Sequence, residues 1–134
     1  MEPQGRKLSQ AELPPYIREQ LARYDQIQQN LQAVLIQKQQ VEMELSETEK
    51  ALEELAKASD SEGIYKFAGN LLVKVEKDAV VKELTEKKEL GSTRKMVLAK
   101  QETRFRESLK ELQSKIDDAV KSKPTQQPQP PGDA

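Results

Sequence analysis

The chain has 134 residues, 35% hydrophobic and 34% charged, with 22 basic against 23 acidic side chains; so much charge and so little apolar mass argue against a large compact core, and the balanced charge argues against a polyanion binder. With no Cys and no His, it excludes disulfides, Cys-based zinc sites and His-based acid–base catalysis. MEPQGRKLSQAE has no apolar secretory core and no run nears the roughly 18 apolar residues of a membrane span, so no signal or span is expected and the protein reads as soluble and cytoplasmic.

Prolines mark the organisation. They stand at 3, 14, 15, 124, 128, 130 and 131, and none lies between Tyr16 and Lys123. Residues 1–12 are expected to be flexible and 13–122 to form one helical domain. Ala, Glu, Lys, Leu and Arg make up 65 of the chain's 134 residues, the composition of long helices and coiled coils. A first arm is predicted over about 15–59, started by Pro14-Pro15 at the helix's first turn. Its seam reads Ile17, Leu21, Tyr24, then Ile27, Leu31, Val34, Lys38, Val41, Leu45, Thr48, Leu52 and Leu55. Steps of three and four alternate except from 24 to 27, which reads as a stammer in a heptad pattern.

The segment IYKFAGNLLVKV at 64–75 breaks the helical pattern. It alternates, is rich in β-branched and aromatic residues, and turns at Gly69-Asn70, which suits a two-residue hairpin loop. The predicted register pairs Ile64 with Val75, Tyr65 with Lys74, Phe67 with Leu72 and Ala68 with Leu71. Tyr65, Phe67 and Leu72 then share one face; Ile64, Leu71, Val73 and Val75 share the other. A lone two-stranded hairpin is marginal in water and has two open edges. No further strand is available to cover it, so these residues are expected to be covered by other subunits.

A second arm is predicted over about 77–121. One seam position reads Leu84, Gly91, Leu98, Phe105, Leu112, Ala119, and the other Val81, Lys88, Lys95, Glu102, Leu109, Ile116. The middle is weak, and Gly91 leaves a continuous helix open there. Two arms of about 65–70 Å imply an antiparallel pair, with residues whose numbers add to about 136 facing each other. Glu42, Glu44, Glu47 and Glu49 then lie near Arg94, Lys95, Lys88 and Lys87. KPTQQPQPPGDA at 123–134 is expected to be disordered. The fold class is thus mainly α: a long antiparallel coiled-coil helical hairpin with one central β-hairpin.

Helix, hairpin, helix in about 120 residues resembles a β-class prefoldin subunit of the archaeal type. The resemblance rests on PPYIREQLARYDQIQQNLQAVLIQKQQVEMELSETEKALEEL at 14–55 and IYKFAGNLLVKVEKDAVVKELTEKKE at 64–89. Its most specific pieces are QKQ at 37–39, ALEEL at 51–55 and IYK-x₂-G-x-L-x-VK at 64–74. One hairpin rather than two favours the β class over the α class. The resemblance implies a hexamer of two α-class and four β-class subunits, with hairpins assembled into β-barrels. It also implies that the coiled-coil ends hold unfolded clients and pass them to a group II chaperonin, with no nucleotide or other cofactor. Candidate client-binding residues at those ends are Leu13, Tyr16, Ile17, Leu21, Leu112, Ile116 and Val120, which become accessible if the coil frays.

Other classes fit less well. No P-loop or G-x-G-x-x-G occurs, and the adjacent carboxylates Glu53-Glu54 and Asp117-Asp118 diverge on a helix, so neither an enzyme nor a metal site is expected. Lys100, Arg104, Arg106 and Lys110 are interrupted by acidic residues and lack aromatic partners, which disfavours nucleic acid. The alternative is a coiled-coil scaffold or tether that only bridges partners.

Overall fold

The computed structural model describes residues 13–59 and 61–126. Its elements are α1 (Pro15–Lys57), β1 (Ile64–Ala68), β2 (Leu71–Val75) and α2 (Lys77–Gln126). The expected flexible N-terminus and most of the Pro/Gln-rich tail lie outside the described residues. The tail boundary differs: α2 continues through 123–126, past the expected arm end at 121. Pro124 removes one donor from the final turn without ending the helix, which stops two residues ahead of Pro128.

Helix α1 runs 43 residues without an interior glycine or proline after Pro15. Its first turn is closed by the Arg18 amide on the Pro14 carbonyl at 3.0 Å; Pro15, in the first turn, has no donor to lose. At its end the Ala58 amide reaches the Glu54 carbonyl at 3.1 Å. The Ser59 amide then bonds Glu62 Oε1 at 2.6 Å, and the Glu62 amide bonds the Ser59 carbonyl at 3.1 Å. Lys77 Nζ donates to the Ala58 carbonyl at 2.8 Å, so the start of α2 satisfies an acceptor just past the end of α1.

Two compact units are formed, one by Met1–Val34 with Gln101–Ala134 and one by Leu35–Lys100; they are called here the terminal unit and the hairpin unit. In the hairpin unit Val41 is the most deeply buried side chain, at 2% exposure, accompanied by Leu55, Leu98 and the polar Thr48. In the terminal unit Ile17, Gln20, Leu31, Val34 and Leu112 are buried. These burials correct the expected stammer. Gln20 occupies the seam, whereas Leu21 is only half-buried beside it. With Gln20 in place, the series 17, 20, 24, 27, 31, 34 steps by three and four without interruption, an unbroken heptad.

Gly91 does not interrupt α2. A Cβ at this position would lie 2.9 Å from Leu45 Cδ2, so the missing side chain is the space that Leu45 fills. The pair adds to the expected 136, and the ion pairs on either side, Lys95–Glu42 and Lys88–Glu49, each at 3.8 Å, fall one residue from that count. Lys95 is exposed and Lys88 half-buried, and each reaches a glutamate on α1. Each such exposed pair contributes about 0.2–1 kcal/mol. Gly91→Leu is expected to destabilise the chain by about 1–3 kcal/mol through overpacking against Leu45, read as a lower thermal midpoint. An unchanged midpoint would show that Leu45 leaves the notch at no cost.

Candidate functional site

Strands β1 and β2 pair antiparallel in the expected register, Ile64↔Val75, Tyr65↔Lys74, Lys66↔Val73, Phe67↔Leu72 and Ala68↔Leu71. Gly69 takes φ of +63° at the first loop position, the left-handed conformation that two-residue hairpin loops require and that glycine adopts without a Cβ penalty. Two contacts orient the ribbon. Lys66 Nζ sits 3.2 Å from the Glu83 carboxylate on α2, and the Tyr65 ring occupies the space over Gly63, where a Cβ would meet it at 2.9 Å.

The hairpin exposes its apolar groups on both faces. Phe67 is 78% exposed and Leu72 and Tyr65 more than half, all on one face; Leu71, at 67%, and Val73 are exposed on the other. Only Ile64 and Val75, nearest the helices, are half-buried. Among the described residues the sheet has two strands, so both edges present unpaired backbone groups. This concentration of exposed aromatic and aliphatic surface is what an interface core looks like before its partner arrives.

The predicted arm-end residues fall into two groups. Tyr16 and Val120 are exposed; Ile17 and Leu112 are buried; Leu13, Leu21 and Ile116 are half-buried. Shallow grooves run beside them, one lined by Tyr24, Arg106, Leu109, Lys110, Gln113 and Asp117. Two features escaped sequence reasoning. One is Gln20 in the seam, which an alternating count through position 20 would have found. The other is a set of exposed apolar groups outside the seam: Ile36 and Met43 on α1, and Leu90, Met96 and Val97 on α2. The seven-residue spacings 36–43 and 90–97 were the available signal. No group of three or more metal-ligating side chains occurs among the described residues, and none of their helices is long and apolar enough to cross a membrane.

A family model for prefoldin subunits matches residues 18–123, both arms and the hairpin between them. The chain belongs to the prefoldin subunit family. The prefoldin subunit beta of Archaeoglobus fulgidus is 50% identical over 105 residues, 78% of this chain and 90% of the relative. That of Saccharolobus islandicus is 43% identical over 108 residues, 81% and 86% of the two chains. Among solved structures, the prefoldin beta subunit from Thermococcus strain KS-1 superposes with a TM-score of 0.72 at 42% identity, covering 79% of this chain and 93% of that one. The beta2 subunit from the same strain, at 23% identity and a TM-score of 0.61, shares the fold. Prefoldins are chaperones rather than enzymes, and this prefoldin-family chain has their helix–hairpin–helix architecture.

Proposed function

We propose that this chain is a β-class subunit of a hetero-oligomeric, ATP-independent holding chaperone. Its hairpin joins those of an α-class subunit and further β copies, in a hexamer of two α and four β, as strands of a shared β-barrel. The arm ends, residues 13–24 and 109–121, capture exposed apolar segments of unfolded polypeptides and release them to a group II chaperonin. The observation that carries this reading is the hairpin: a ribbon with Phe67, Leu71 and Leu72 turned outward needs other strands on its edges and other side chains on its faces. At the arm ends, Tyr16 and Val120 offer apolar surface worth about 25 cal/mol per Å² buried by a client. Each end alone binds weakly, and several around one client bind together through effective concentration, so capture remains reversible.

The test is the mass of the purified chain by light scattering, alone and with an α-class subunit, followed by the aggregation of a denatured client. A discrete hexamer on mixing that keeps the client soluble without nucleotide is expected. A chain that ignores the α-class subunit, or a hexamer that leaves client aggregation unchanged, would overturn the reading in favour of a tether.

A further inference from the structure

Three side chains are buried at the arm ends: Ile17 and Gln20 on α1, and Leu112 on α2. One of the three is an amide. Gln20 is 6% exposed, and its Oε1 is buried with no hydrogen-bond partner among the described residues. It stands at a true seam position, three residues from Ile17 and four from Tyr24, where the heptad calls for an apolar group. A buried carbonyl oxygen without a donor loses its hydration and gains nothing for it, whereas in an open arm end water restores that bond. The closed state is therefore selectively penalised at this layer. Toward the end of the arm Ile17 is buried on α1, but its support on α2 is thin: Ile116 and Ala119 are only half-buried and Val120 is exposed.

We propose that Gln20 holds the arm end in an opening equilibrium, so that Ile17, Leu21, Leu112 and Ile116 are seam residues when the end is closed and client-binding residues when it is open. This deepens the holding function proposed above and rests on it. The polar seam residue sets how often the apolar surface is presented. Burial of Ile17 and Leu112 keeps the surface covered the rest of the time, which limits association between arms of different particles.

Gln20→Met removes the oxygen at nearly constant volume, and Gln20→Glu buries a charge in its place. In the full assembly without client, methionine is expected to slow amide hydrogen exchange at 16–24 and 109–119 about tenfold, and glutamate to accelerate it. At equal particle mass, the methionine assembly should also suppress client aggregation less well than the parent. Exchange unchanged by either substitution would overturn the role of Gln20, while the parent's own client assay still decides the holding function separately. Slower exchange with undiminished holding would overturn the link between opening and capture.

Discussion

Phe67→Asp is expected to dissolve the assembly into subunits while leaving most of the helix content in place. Phe67 is the most exposed large apolar side chain on the ribbon, at 78%, so the isolated chain loses little by its replacement. In a strand-paired assembly the same position is enclosed, and the aspartate would be an unpaired buried charge, costing about 3–5 kcal/mol at every copy. The paired helices share neither residue nor hydrogen bond with Phe67, and the circular dichroism of α1 and α2 should persist. Sedimentation velocity reads the result. An unchanged profile would remove the hairpin from the assembly altogether.

Replacing Tyr16 and Val120 together by serine is expected to abolish most of the protection of an aggregating client without altering assembly. Both are about half exposed, so their loss scarcely touches the seam, and surface changes of this kind stay within about 0.5 kcal/mol of stability. A client that buries them loses about 1–2 kcal/mol of contact at each arm, and the loss recurs on every copy that shares the client. Substitution at Ile17 or Leu112 could not make this distinction, because each is also a buried seam residue. Light scattering of a denatured client, with thermal unfolding as the control, separates the two effects. Full protection by the double variant would show that Tyr16 and Val120 do not hold the client.

The hairpin was legible because two local constraints agree on it. Alternation at 64–75 sets which side chains share a face, and Gly69-Asn70 fixes a two-residue loop; together they leave one register, the one observed. The seam was legible wherever an apolar residue marked it. It was misplaced at Gln20, where the nearby Leu21 drew the count off by one residue and created an apparent stammer. Hydrophobicity reports only which side chain prefers burial; the helix buries whichever residue the heptad presents. Gly91 was obscure for a related reason. A glycine in a helix reads as a weak point of about 1 kcal/mol, and only the position of Leu45 shows that the missing side chain is filled from the facing helix. The exposure of Tyr16 and Val120 beside buried Ile17 and Leu112 also depends on which face each turn presents.

The notch at Gly91 governs how the two helices of the hairpin unit can move. Displacing α2 by one heptad in either direction would bring Leu84 or Leu98 against Leu45 in place of the glycine, forcing two large side chains into room made for one. The flanking pairs Glu42–Lys95 and Glu49–Lys88 would part in the same step. Shape and charge thus work together as a keyway. The helices of this unit therefore favour one axial register over its heptad neighbours, and that register fixes where along the pair the hairpin is carried.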